Sequence, residues 1–416
     1  MQDVSSLASG EIKGSMMAAA TNKSGENGLL GSLERKLEEE PQRIAEARKK
    51  GKKVVGYFGP YVPEELILAA GMHPVHLAFG GELEPALAGE AFLKPYSCAY
   101  ARACLGYRTL STNPYYNAVD AVCVAYTCDS MRRVQEYWAK YFGVPSFPLG
   151  VPQTHDRLRT KPQAVEYFKN ELKLLRRRLG EFSGNEIKDK EIYQAIALCN
   201  QIREKLWAFY EYPLDGRSPI QWREVLQISH AGFLMDRTDY LRELEKIGRD
   251  LERRSLEDIP YDKRARLMIC GSIIGIGDNK VPDIVTQAGG NIVADSVCTG
   301  AMFSRKRVST FGFIGNPMEA LAERYLYNFP CPFMTARQAR INNIVKVARD
   351  YRVHGLIYYN LRYCDTWRAD FKFISDALYK ELSVPALLIE TEYSPDDTGV
   401  IRTNVESFIE IIGGRT

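Results

Sequence analysis

Histidine and tryptophan are scarce in this chain, no two cysteines form a Cys-x-x-Cys pair, and no apolar run reaches membrane-spanning length. Each absence removes a class of function. Structural zinc sites are built on closely spaced ligand pairs, and the five histidines (His73, His76, His155, His230, His354) do not accompany the nine cysteines. Zinc is therefore disfavoured. Without a Gly-x-Ser-x-Gly elbow or a His-Glu-x-x-His helix, a hydrolase reading has nothing to stand on. A net charge of only +3 asks for neither nucleic acid nor an anionic membrane surface. The roughly 18 apolar residues that a membrane span needs are missing. So is the apolar core of a secretory signal, and the expected location is cytoplasmic. In that reducing compartment, scattered cysteines are expected to be ligands, catalysts or core residues rather than disulfides.

What is present is an ordinary globular composition, 416 residues with 45% hydrophobic and 26% charged side chains. That length predicts two or three domains. Residues 1–30 are rich in Gly, Ser, Ala and Asn and read as a loosely ordered N-terminal arm. The charge-dense stretch Leu33–Lys53 predicts a helix with a solvated face. Short apolar runs then alternate with helical segments: Val54–Phe58, Val75–Phe79, Val119–Tyr126 and Ser146–Val151. Residues 162–260 carry almost no strand signal, and Leu172–Phe182, Glu191–Tyr212 and Asp236–Leu256 have helical spacing. The alternation resumes at Arg266–Cys270, Ile292–Ala294, Gly355–Tyr359 and Pro385–Glu390, with a helix over Arg337–Arg349. This pattern predicts an α/β protein of two Rossmann-like parallel-sheet domains, 31–161 and 261–416, joined by a helical bridge over 162–260.

Six cysteines fall at junctions rather than inside apolar runs. Cys128, Cys298 and Cys364 each follow an expected strand by a few residues, where open parallel sheets place their ligands. Cys98 precedes a helical stretch, Ala99–Leu105, whose positive end favours a thiolate. Cys331 lies between Pro330 and Pro332. Iron–sulfur clusters are held by such thiolates. Any one of these cysteines alone reads better as a small buried hydrophobe; several at equivalent junctions do not. Cys123, Cys199 and Cys270 read as core. Cys104, six residues from Cys98 on a continuous helix, points to a different side unless that helix starts late or bends. The loop Gly271-Ser-Ile-Ile-Gly275-Ile-Gly277, followed by Lys280, departs from both Gly-x-Gly-x-x-Gly and the phosphate-loop pattern. It reads as a tight turn.

Residues 53–74 (Lys-Val-Val-Gly-Tyr-Phe-Gly-Pro-Tyr-Val-Pro-Glu-Glu-Leu-Ile-Leu-Ala-Ala-Gly-Met-His-Pro), Pro-Tyr-Ser-Cys98, Tyr-Thr-Cys128-Asp and Tyr-Cys364-Asp-Thr carry a resemblance. With the terminal Leu-Leu-Ile-Glu390-Thr-Glu392-Tyr-Ser, they resemble the 2-hydroxyacyl-CoA dehydratase and benzoyl-CoA reductase subunit family over roughly residues 30–413. The resemblance implies two flavodoxin-like domains and one [4Fe–4S] cluster on Cys98, Cys128 and Cys364. It also implies a separate ATP-hydrolysing iron–sulfur activator that supplies electrons. Val-Cys298-Thr-Gly and Pro-Cys331-Pro are additions that resemble the double-cubane cluster branch. That branch implies an [8Fe–9S] centre on six cysteines, a homodimer, and reduction of small molecules. Cys98, Cys128, Cys298, Cys331 and Cys364 match by motif, and Cys104 is preferred as the sixth over Cys123 or Cys270.

The expected function is thus an iron–sulfur reductase fed by an activator and acting on a small molecule, with no role for nucleic acid or membrane. A dehydratase component with a single [4Fe–4S] cluster and a non-catalytic electron carrier are the alternatives. Iron content separates the first two, and turnover with the activator excludes the third.

Overall fold

The computed structural model describes residues 28–153, 163–311, 316–328 and 331–413. The expected arm, residues 1–30, lies outside these except for its last three residues. Eight strands are described: β1 Val54–Phe58, β2 His73–His76, β3 Ala121–Tyr126, β4 Ser146–Gly150, β5 Ala265–Gly271, β6 Gly290–Ser296, β7 Gly355–Leu361 and β8 Ala386–Thr391. They form two four-stranded sheets in the orders β2-β1-β3-β4 and β6-β5-β7-β8. All pairings are parallel. The order is that of the flavodoxin-like sheet without its fifth strand, so the fold is α/β with two flavodoxin-like sheets amid helices. Central strands β1 and β7 are buried along their whole length, as parallel strands covered on both faces must be. Edge strands β4 and β8 are partly exposed.

Among the described residues, four α-helices lie between β4 and β5: Gln163–Ser183, Asp189–Glu211, Trp222–Gly232 and Arg237–Ser255. Gln163–Ser183 packs directly on β4, where Glu171 accepts from Gly150 N–H at 2.8 Å, and it and Asp189–Glu211 pack on the short helix Glu64–Ala69 that follows β1. Glu64 accepts from Arg237 Nη2 at 2.6 Å, and Glu65 lies 2.7 Å from Arg203 Nη1, all four side chains being essentially sealed from water. The hydroxyl of Tyr325, on the helix Pro317–Asn328, donates to Glu65 at 2.7 Å. The charged helix expected over Leu33–Lys53 runs Gly31–Lys49 and is not solvated all round. Leu33 and Ile44 are buried, and buried Glu40 accepts from the backbone N–H of Asp236 at 3.0 Å.

The two sheets are joined directly by backbone. Beyond β2 the chain pairs with the loop beyond β5, where Ile276 N–H donates to Ala78 at 2.7 Å and Gly80 N–H to Ile276 at 3.0 Å. So close an approach requires missing side chains: a Cβ on Gly275 would lie 2.8 Å from the Gly80 nitrogen, and one on Gly81 only 2.5 Å from Asp278 Cα. This seam corrects the expected strand Val75–Phe79. The strand ends at His76: Leu77 N–H still donates to Tyr57 of β1, but from Ala78 on the chain is bonded to the other half of the molecule.

Candidate functional site

Three cysteines are the last residue before a helix. Cys98 is the N-cap of Ala99–Leu110, Cys128 of Asp129–Phe142 and Cys364 of Asp365–Leu382. The first N–H groups of a helix have no partner within it and carry the positive end of its dipole. The Cys98 sulfur meets the N–H groups of Tyr100 and Ala101, and the Cys128 sulfur those of Ser130 and Met131. Cys364 meets the N–H of Trp367 and the hydroxyls of Thr366 and Ser272. Cys331 faces the N–H of Phe333, while its carbonyl accepts from Arg340 Nη1 at 3.0 Å.

Cys298 sits on a loop closed by one carboxylate. Asp295, at the end of β6, accepts from the N–H of Val297 at 3.2 Å and of Ala301 at 2.9 Å. Trp222 Nε1 donates to its other oxygen at 2.7 Å. Gly300 is required there, because a Cβ would fall 2.5 Å from Asp295 Oδ1.

These five cysteines are the partly exposed ones; Cys104, Cys123, Cys199 and Cys270 are buried. They also converge. Cys98 feels the charge of Cys364 and Cys128, and Cys128 that of Cys364. Cys298 feels Cys364, and Cys331 feels Cys298 and Cys128. The geometry has a twofold logic. Cys128 follows β3 as Cys364 follows β7, and Cys98 lies between β2 and β3 as Cys331 lies between β6 and β7. Cys298 has no counterpart: after β2 the chain continues as Leu77 and Ala78.

Burial pushes every one of these thiols up, Cys298 to about 12, with neighbouring sulfurs adding to the effect for Cys98, Cys128, Cys298 and Cys331 and Asp365 for Cys364. The surrounding N–H groups pull the other way for Cys98, Cys128, Cys331 and Cys364. On their own the thiols stay protonated, whereas a bound metal deprotonates a coordinating thiol outright. Among the described residues, no three His, Cys, Asp or Glu side chains approach closely enough to hold one metal ion. The donor set therefore suits a group larger than an ion: soft sulfur ligands, spread apart, four of the five with neighbouring N–H groups ready to bond anionic sulfur.

Cys104 is placed differently. Its helix runs unbroken from Ala99, with no late start, and Cys104 is fully buried on it. Its thiol, pushed up to about 12 by burial, meets the hydroxyls of Tyr100 and Tyr116, and Cys128 is the sulfur whose charge it feels. Cys123 and Cys270 lie inside β3 and β5, and Cys199 packs beside Glu64 and Glu65 on the helix Asp189–Glu211.

Several residues of the site have no motif to announce them. Ser272, Asp295, Arg340 and Tyr61 are examples, and Tyr61 is fully buried with its hydroxyl bonded to the Cys331 backbone. Only Ser272 had a readable signal, its place just beyond a strand end. Lys280, the first residue of the helix Lys280–Gln287 beyond the glycine-rich loop, serves the fold. Lys280 Nζ donates to Thr391, Asp397 and the carbonyls of Glu392 and Ser394, the distances running from 2.6 to 2.7 Å.

Among the described residues, no helix is long and apolar enough to cross a membrane. Residues 60–412 match the family described as 2-hydroxyglutaryl-CoA dehydratase, D-component. The chain is 26% identical over 370 residues to the putative dehydratase subunit YjiM of Escherichia coli, covering 89% of this chain and 94% of that one. It is 23% identical over 363 residues to the (R)-phenyllactyl-CoA dehydratase beta subunit of Clostridium sporogenes, covering 87% and 92%. To a benzoyl-CoA reductase subunit of Thauera aromatica it is 24% identical over 371 residues, covering 87% and 91%. With a match that runs from the end of β1 to the last helix, this chain belongs to the 2-hydroxyglutaryl-CoA dehydratase D-component family.

Proposed function

We propose that this chain is an iron–sulfur oxidoreductase component that receives electrons from an ATP-hydrolysing [4Fe–4S] activator and reduces a small molecule. The observation that carries the reading is the convergence of five partly exposed thiols from both sheets, too dispersed for a single ion. Cys98, Cys128, Cys298, Cys331 and Cys364 would hold an [8Fe–9S] double cubane. Cys104, adjoining Cys128, is the sixth ligand only if the first turns of its helix rearrange. Such a group supplies low-potential electron transfer when bound, iron–sulfur potentials spanning roughly −700 to +450 mV. The chain's own part is to hold the sulfurs. Backbone N–H groups at three helix starts bond them, and bonds of this kind are among the factors that set a cluster's potential. Lys280 is saturated by four oxygens and leaves no phosphate loop, which supports an ATP requirement met by a second protein. A homodimeric assembly is part of the proposal.

The second reading is a 2-hydroxyacyl-CoA dehydratase component with one [4Fe–4S] cluster. It is favoured by the mutual proximity of Cys98, Cys128 and Cys364, and by the names of the dehydratase relatives. Anaerobic iron and sulfide analysis of the purified chain separates the two: about eight irons per chain for the first, about four for the second. Neither iron nor sulfide would remove both. Turnover with a related activator is then expected only with ATP and a strong reductant together. Equal rates without nucleotide would sink the activator.

A further inference from the structure

Two arginines beside the cysteines are almost sealed from water, Arg102 at 3% and Arg340 at 2% exposure. Each spends its donors on the turn that carries a cysteine. Arg102, on the helix that Cys98 caps, donates from Nε to the Ser97 carbonyl at 3.1 Å. Its Nη1 bonds Glu90 of the same half, and its Nη2 donates to Glu392 of the other half at 2.6 Å. Arg340 donates from Nη1 to the carbonyls of Cys331 and Met334, both at 3.0 Å. Its Nε donates at 2.6 Å to Asp370, on the helix that Cys364 caps. Cys98 lies between β2 and β3 as Cys331 lies between β6 and β7, and each arginine is on the helix that follows its cysteine, so the arginine fork recurs where the fold repeats.

Both forks end on the half of the molecule that carries Cys364. Glu392 directly follows β8, and its carbonyl accepts from Lys280 Nζ at 2.7 Å, so this anchor is itself held. Asp370 is buried and accepts from Arg337 as well as Arg340. Cys98 and Cys331 are thus set against one common frame, although Cys98 belongs to the opposite half. A guanidinium offers five donors in a rigid plane, which a lysine ammonium cannot reproduce. Partners that hold a ligand in place orient its donor atom and bear on how tightly the metal is kept. We infer that Arg102 and Arg340 are positioning residues, which fix the Cys98 and Cys331 sulfurs relative to Cys364 before any group is bound. The inference rests on the reading of these thiols as ligands of one iron–sulfur group.

The test uses the full chain, iron-free and iron-loaded, with Arg102→Lys, Arg340→Lys and Glu392→Gln beside wild type. In the iron-free, reduced protein, iodoacetamide labelling is followed at each cysteine by mass spectrometry. Arg102→Lys and Glu392→Gln are expected to speed labelling of Cys98 by roughly threefold or more, and Arg340→Lys that of Cys331, with Cys123 and Cys199 unchanged. In the anaerobically purified, iron-loaded protein, the same variants should alter the electron paramagnetic resonance line shape of the reduced centre and lose iron to a ferrous chelator about tenfold faster. Glu392→Gln keeps the side chain's shape and leaves Glu90 to Arg102, so it decides the matter if an arginine variant does not fold. Unchanged labelling of Cys98 in Glu392→Gln, equal acceleration at Cys123 and Cys199, or line shapes identical to wild type would each overturn the inference. Wild-type protein that holds no iron would instead remove the cluster reading, and the labelling contrast would still decide this one.

Discussion

A cysteine placed one residue before a helix does two jobs: it ends a loop, and it meets the N–H groups that the helix cannot use. Cys98, Cys128 and Cys364 share this place, whereas Cys123 and Cys199 lie inside regular elements with full burial. Replacing Cys298 or Cys331 with Ala is accordingly expected to cost about half of the bound iron and to leave the circular dichroism spectrum unchanged. Cys123→Val and Cys199→Ala should keep all of it, because a buried thiol there acts as a small hydrophobe. Full iron in Cys298→Ala would remove that residue from the ligand set. A different residue, Asp278, sets a pH dependence. Sealed beneath the seam and accepting from Tyr359 at 2.6 Å, its carboxyl is raised from 3.8 to about 6 by burial. The native state thus keeps a proton that the unfolded chain has released. This favours folding below about 3.8, and the advantage is lost as pH rises through about 6. Asp278→Asn should therefore gain stability relative to wild type between pH 4 and pH 7.5, by on the order of 3 kcal/mol. Urea midpoints measured across that range check it, and parallel curves for the two proteins would refute it.

At the scale of elements, sequence patterning located the strands well where the apolar run and the strand coincide. Val54–Phe58 is reproduced residue for residue, and Gly355–Tyr359 extends by two residues to Leu361. It failed for β2, where Val75–Phe79 looks like the better strand and Pro74 argues against an earlier one. Pro74 is tolerated because β2 is an edge strand, and Leu77–Phe79 is apolar because it packs at the seam. The helix Trp222–Gly232 went unread although its signals are present: Trp222, Val225, Leu226 and Ser229 are buried at helical spacing, and Gln221 and Glu224 form a capping box that marks its start. The cysteine junctions were legible because thiols at strand and helix ends stand out in any sequence. The N–H groups and the Asp295 loop were not, because they act through backbone geometry and through partners such as Trp222, 73 residues away.

For the molecule as a whole, the buried ions matter most. Glu65 after β1, Arg203 on the helix Asp189–Glu211 and Tyr325 on Pro317–Asn328 meet at one sealed point. Removing one partner of such a pair leaves a charge buried without compensation, which costs about 3–5 kcal/mol. Arg203→Met should lower the urea unfolding free energy by that amount. A loss below about 1 kcal/mol would put the pair on a par with surface ion pairs. The glycine-lined seam has a different consequence. Its two crossing amides, Ile276 N–H and Gly80 N–H, are bonded to the opposite half of the molecule and to nothing in their own sheets. They can trade hydrogen for deuterium only when the halves part, or when the chain unfolds outright. Those two protons are thus a built-in clock for separation of the halves. If the halves part and rejoin in solution, they will record how often, at a rate distinct from that of the amides buried in β1 and β7.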